Sequence, residues 1–236
     1  MKKHIPNIIT CCNLICGAFA TYWAFRADYS MALAFIITGA VFDFFDGFVA
    51  RLLNVSSPMG KELDSLADDI TFGMAPAAIV FSLLKSVPVP DSVQGFCDYI
   101  PFAAFLIAAF SGYRLAKFNL DERQTLGFIG LPTPANALFW ASLAYSYETA
   151  IESSSKSIYF LLAGVLISCW LLVSEVPMFA LKFKSFGVRE NLLRFVYILL
   201  CIILLVFMGW AAIVWLIAVY IVLSIFFVRR HRRGRG

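Results

Sequence analysis

From Ile8 to Val228 the chain is a succession of apolar segments joined by short connections, and that alternation decides what it can fold into. An apolar segment of about 20 residues can cross a bilayer as a helix, because a helix satisfies its own backbone groups where no water is available. Eight such segments are read: Ile8–Phe25, Met31–Leu53, Asp68–Leu84, Ile100–Phe118, Pro132–Tyr147, Ile158–Ser174, Leu192–Met208 and Ala211–Val228. Gly209-Trp210 separates the last two. One unbroken helix there, about 37 residues long, would overshoot a hydrocarbon core of about 30 Å, so a hairpin is expected. The fold class is therefore all-α, a polytopic membrane bundle of about eight helices. One domain covers residues 1–236, with a core at about 5–175, an added helix pair at 190–228 and a basic tail at 229–236.

Only 14% of the 236 residues are charged, where soluble domains carry about 25%, and the mean hydropathy is +0.83. The small residues Ala18 and Ala20 run straight on into Trp23 and Phe25, so the first segment reads as a retained span rather than a cleaved signal. With the N-terminus in the cytoplasm, sixteen Lys and Arg fall inside and three outside. The inner set is Lys2, Lys3, Arg51, Lys61, Arg114, Lys117, Arg123, Lys182, Lys184, Arg189, Arg194 and five arginines of the tail; the outer set is Arg26, Lys85 and Lys156. This asymmetry orients the bundle with both termini cytoplasmic. It assigns the excess of positive charge to topology and anionic lipid headgroups, not to nucleic acid. Five of the six cysteines lie inside apolar segments, as small hydrophobic residues, and neither a zinc site nor a disulfide framework is expected.

Against this apolar background stands one acidic pattern: Asp43-x-x-Asp46-Gly47-x-x-Ala50-Arg51, then eight residues, then Gly60-x-x-x-Asp64-x-x-x-Asp68. Ionisable residues at membrane depth are expensive and mark functional sites. At about 100° per residue, Asp43, Asp46, Gly47 and Ala50 share one face of the second span, and Phe44, Phe45 and Phe48 cover the others. Asp64 and Asp68 share a face of the next helix, and the short connection makes the two helices an antiparallel hairpin. Four carboxylates converging in a low dielectric repel unless cations neutralise them. All-oxygen ligation suits magnesium, manganese or calcium, and two ions sharing bridging carboxylates is the natural arrangement. Arg51 and Lys61 flank the acids, Gly60 allows close backbone approach, and Asp69 points elsewhere around the helix.

The whole string resembles the signature of the CDP-alcohol phosphotransferase family, and every signature position matches. The resemblance implies a helical membrane enzyme with a six-helix core, dimeric, in the cytoplasmic membrane of a prokaryote. Such enzymes move a substituted phosphate from a CDP-linked donor to an alcohol and release CMP. It implies that Asp43, Asp46, Asp64 and Asp68 bind two divalent cations, Mg2+ or Mn2+. It further implies that Gly47, Ala50, Arg51 and Gly60 shape the cytidine-diphosphate pocket, and that Asp68 is the general base. Asp43, Asp64, Lys61 and Asn13 join the donor-binding set in this reading.

Three further stretches look like the phosphatidylserine synthase branch: Pro6–Gly17, with Asn13-Leu14; Asp64–Asp68 running into Phe72-Gly73-Met74-Ala75-Pro76-Ala77; and Arg114–Asn119, followed by Phe128–Ala135. That branch implies CDP-diacylglycerol as donor and L-serine as acceptor, the lipid tails coming in sideways between helices. A zwitterionic acceptor needs a cation for its carboxylate, and Arg114, Lys117 and Asn119 stand on the correct side for it. Inositol phosphate or glycerol phosphate is the alternative acceptor. A cation transporter would need acids along the whole path, but Asp28, Asp91, Asp98, Glu148 and Glu152 on the outer side all sit in or near loops.

Overall fold

A computed structural model describes residues 4–120, 129–178 and 188–233. Its helices are α1 (His4–Phe25), α2 (Tyr29–Leu52), α3 (Pro58–Asp68), α4 (Ala75–Ser86), α5 (Leu106–Leu120), α6 (Thr133–Glu152), α7 (Ser157–Val173), α8 (Val188–Met208) and α9 (Ala211–Arg233). Each of the eight expected segments falls on helix. The third is longer than its apolar stretch suggests. α3 and α4 are joined by a π-helical turn, Asp69–Met74, into one rod from Pro58 to Ser86. By length and composition α1, α2 and this rod can cross a membrane, and Ser157–Val173, Phe195–Met208 and Ala211–Ile225 are shorter apolar helices. The fourth segment opens as a 3-10 stretch, Ile100–Phe105, before α5 begins. Arg123, Phe128, Lys182, Lys184 and Arg235 lie outside the described residues.

Local chemistry sets the ends. Asp28 caps α2 by accepting from the Met31 amide at 3.0 Å, and Ser57 caps α3 by accepting from the Gly60 amide at 3.0 Å. Pro58 occupies the first turn of α3, where its missing N–H costs nothing. The break between the last two helices is real: Gly209 takes φ +56, and the chain folds back as a hairpin. Across it the Tyr197 hydroxyl donates to the Leu216 carbonyl at 3.1 Å.

α4 forms the centre of the core, with Ala75, Ala77, Ala78, Ile79, Val80 and Leu83 fully buried. Trp140 on α6 packs into the same cluster and donates its indole N–H to Ser168 at 3.0 Å, which satisfies its polar end. The outer surface keeps large apolar side chains exposed, among them Phe44, Phe160, Val206 and Phe207, as expected where lipid is the solvent.

The π turn is the feature that positions the acids. It drives Thr71 between α1 and α2, where two glycines leave room. A Cβ on Gly17 would collide with the Thr71 backbone and hydroxyl, and one on Gly39 would lie 2.6 Å from the Thr71 methyl. Thr71 then donates its hydroxyl to the Asn13 carbonyl at 3.0 Å, locking the rod to α1. π-helical turns of this kind are frequent at functional sites.

Candidate active site

α2 descends and α3 returns, so Asp43 on one helix faces Asp64 and Asp68 on the other. These three each present a carboxylate oxygen within 4.8 Å of the others, and all three side chains are half-buried. Asp46, one turn further along α2, is buried and stands beside this trio. Thr10 of α1 donates its hydroxyl to Asp46 Oδ2 at 2.6 Å. Asn13, fully buried, donates its amide N–H to Asp68 Oδ1 at 3.1 Å. Among the described residues no Lys or Arg forms an ion pair with any of the four. Carboxylates held this close and this dry repel unless a cation joins them, and a set of oxygens alone fits a hard divalent ion.

A cavity of about 260 Å³ opens next to the acids. Asp46, Gly47, Ala50, Gly60, Lys61 and Asp64 line it, all of them named by the sequence pattern. Its remaining wall was not foreseen: Pro6, Asn7 and Thr10 come from α1, and Val55, Ser56 and Ser57 from the α2–α3 connection. Thr10 and Asn7 belong to a stretch the sequence singles out, yet nothing in their spacing assigns them a wall. Lys61 lines the cavity and also donates to the Asn119 carbonyl at 2.9 Å, tying α3 to α5. Arg51 is exposed and reaches back over Gly47, with Nη1 3.6 Å from where a Cβ would stand. Phe44 and Phe48 stack with ring centroids 6.3 Å apart on the outer surface of α2, away from the cavity.

The three acceptor candidates separate. Lys117 is engaged with Glu175 at 3.7 Å and with the Val173 carbonyl at 3.5 Å. Asn119 donates to the Ser65 hydroxyl at 2.7 Å. Arg114 differs: it is 7% exposed, feels the charge of Asp68, and its Nε has no hydrogen-bond partner among the described residues. A buried guanidinium with an unused donor is costly unless something accepts from it.

A helical bundle whose hairpin holds a carboxylate trio beside a cavity has the layout of a membrane enzyme that works through metal-binding acids. More narrowly, the chain belongs to the CDP-alcohol phosphatidyltransferase family, whose profile matches residues 3–177. It is similar to the CDP-diacylglycerol–serine O-phosphatidyltransferase of Bacillus subtilis, 38% identical over 148 residues, covering 62% of this chain and 78% of that one. The Mycobacterium tuberculosis protein of the same name is 32% identical over 182 residues, covering 74% of this chain and 60% of that one. The Saccharomyces cerevisiae protein of that name is 35% identical over 158 residues, covering 60% and 54%. The matched part of this chain thus spans between about half and four fifths of these relatives.

Proposed function

We propose that the protein transfers the phosphatidyl group of CDP-diacylglycerol to the hydroxyl of L-serine, giving phosphatidylserine and CMP. The observation that carries this reading is the carboxylate trio Asp43, Asp64 and Asp68 beside the cavity, within a chain whose relatives bear the name of that activity. In this reading the enzyme is an integral protein of the cytoplasmic membrane of a prokaryote, a homodimer, with its site and both termini cytoplasmic. The charge asymmetry of the connections supports that orientation.

Asp43, Asp46, Asp64 and Asp68 would hold two divalent ions, magnesium or manganese. Such ions supply neutralisation of the diphosphate and of the charge that develops at phosphorus. The cavity would take the cytidine diphosphate. Gly47, Ala50 and Gly60 let it approach the backbone, Asn7, Thr10 and Ser57 offer hydrogen bonds, and Lys61 and Arg51 supply positive charge at its rim. The acyl chains would stay in lipid beside the exposed phenylalanines of α2.

Asp68 would act as general base. Its Oδ1 is already occupied by Asn13, which fixes the carboxylate plane and leaves Oδ2 for the acceptor. The serine oxygen attacks the β-phosphorus as its proton passes to Asp68. The bond from that phosphorus to the bridging oxygen breaks, and CMP departs with the electron pair. Arg114 would receive the carboxylate of serine, whereas Lys117 and Asn119 hold the wall behind it. Replacing Asn13 by Leu removes the hydrogen bond to Asp68 without opening space. Kinetics should show kcat reduced roughly ten-fold or more, the cost of one hydrogen bond to a charged group.

The test is CMP release by the purified protein in detergent with manganese or magnesium. L-serine, inositol phosphate and glycerol phosphate are supplied in turn. Release that depends on serine and stops on addition of EDTA is expected. Release that depends only on another acceptor would keep the metal site and overturn the choice of serine.

A further inference from the structure

The π turn opens on an acid that the metal and donor sites do not use. Asp69 follows Asp68 in the chain, and at about 100° per residue its side chain leaves the rod on another face, towards α5. Distances fix where it lies. A Cβ on Gly73, four residues on in the π turn, would stand 2.6 Å from Asp69 Oδ1 and 2.9 Å from Ser111 Cβ, so the carboxylate and the serine crowd one point. A Cβ on Gly112 would stand 3.3 Å from Asp69 Oδ2 and 3.4 Å from Oδ1. Two glycines, one on each helix, thus leave a slot that this carboxylate enters. Further along α5, Asn119 donates to Ser65 Oγ at 2.7 Å, which sets α5 antiparallel to the rod.

Among the described residues Asp69 Oδ1 has no hydrogen-bond partner, and no Lys or Arg forms an ion pair with Asp69. The Ser111 side chain is fully buried, and its Oγ likewise has no partner among the described residues. Arg114, also buried and with Nε unpartnered, follows Ser111 by three residues on α5, which places the two about 5–6 Å apart at Cβ. Buried polar groups are normally paired. A carboxylate, a hydroxyl and a guanidinium left open within one turn of α5 are costly unless a ligand carrying both charges meets them. None of the three lines the donor cavity, so that ligand is not the nucleotide.

We infer that Asp69, with the Ser111 hydroxyl beside it, receives the ammonium group of the acceptor while Arg114 receives its carboxylate. The inference rests on the function proposed above and deepens it by naming the amine contact. Asp68 and Asp69 are consecutive, so the base and the amine-binding carboxylate are neighbours, as the hydroxyl and the ammonium of a β-hydroxy amino acid are. An anion for the ammonium and a cation for the carboxylate together select a zwitterion. The Asp69 charge repels the phosphate of inositol phosphate or glycerol phosphate, so one residue attracts the chosen acceptor and rejects the alternatives.

The experiment is steady-state CMP release by the full-length enzyme and its Asp69→Asn variant, varying L-serine and CDP-diacylglycerol separately. 3-Hydroxypropionate, which is serine without its amine, serves as competing ligand. Asn fills the slot and removes the charge. KM for serine should rise roughly ten-fold or more, the loss of one hydrogen bond to a charged group. KM for CDP-diacylglycerol, the inhibition constant of 3-hydroxypropionate and the affinity for manganese should hold within about two-fold, because none of these ligands meets Asp69. An unchanged KM for serine overturns the inference. So does a rise shared equally by CDP-diacylglycerol or 3-hydroxypropionate, the mark of a structural role, or a matching loss of manganese affinity, the mark of a metal ligand. Should Asp69→Asn fail to fold, Ser111→Ala decides in its place. A serine KM raised roughly three-fold or more, with 3-hydroxypropionate unmoved, supports the inference, and no change overturns it. Wild-type enzyme inert towards serine would overturn the proposed function and this inference together. Active wild type with an indifferent Asp69→Asn variant overturns this inference alone.

Discussion

Asp68→Asn should reduce CMP release by about 10²–10⁴-fold, the range by which a positioned general base accelerates a reaction. Asn fills the same space and can still bond to Asn13, so the fold should survive and the melting temperature should stay within a few degrees. What disappears is a group able to take the proton from the attacking hydroxyl. The negative charge shared with Asp43 and Asp64 also falls. Divalent-ion binding should therefore weaken, measured by equilibrium binding of manganese. A variant that binds manganese as the wild type does and yet releases no CMP would place Asp68 purely as base. One that turns over at the wild-type rate would remove it from the mechanism.

Gly17→Val should cost more than its position in the middle of an apolar helix suggests. The added Cβ would meet the Thr71 hydroxyl and lie 2.7 Å from its Cα and 2.8 Å from its backbone nitrogen. Backbone cannot rotate aside as a side chain can, so the π turn must shift. Overpacking a fitted interior costs about 1–3 kcal/mol. Thr71 is bonded to Asn13 and Asn13 to Asp68, so that shift is passed on to the base. The expected result is a melting temperature lower by several degrees together with a large loss of kcat. Ala24, fully buried two turns further along α1, serves as the comparison. Ala24→Val should lower stability with far less effect on turnover, because no hydrogen-bond chain leads from it to the site. Equal effects of the two on kcat would break the proposed link from α1 to Asp68.

Much of this site is legible in the sequence because helix geometry is periodic. Asp64 and Asp68 are four apart and must share a face, and Asp43, Gly47 and Ala50 follow the same rule on α2. The gathering of Gly47, Ala50, Gly60, Lys61 and Asp64 around one cavity follows from the short connection between the two helices. What periodicity cannot supply is contact across the bundle. Thr10 bonds to Asp46 thirty-six residues away, and Asn13 to Asp68 fifty-five away. Nor does hydropathy distinguish a π turn from an α turn, so the insertion of Thr71 between Gly17 and Gly39 is invisible in composition. Asp46 illustrates the difference. On a helical wheel it belongs with Asp43, but in the folded protein Thr10 holds it at the cavity side of the trio.

The helix pair at the C-terminus shows the same limit from the other direction. Its apolar length and the break at Gly209 are plain in the sequence, and the structure bears out the hairpin. Among the many apolar side chains of α9, it is the three-dimensional packing that brings Tyr220 and Ile221 against Leu131, Leu171 and Met178.

The most direct test of the central claim is to supply purified protein with CDP-diacylglycerol, a divalent cation and isotopically labelled L-serine, and to follow the label into extractable lipid by mass spectrometry. The account predicts labelled phosphatidylserine formed in equal amount to the CMP released. CMP released with no label in the lipid would contradict it, because the acids would then be activating water and not the hydroxyl of serine.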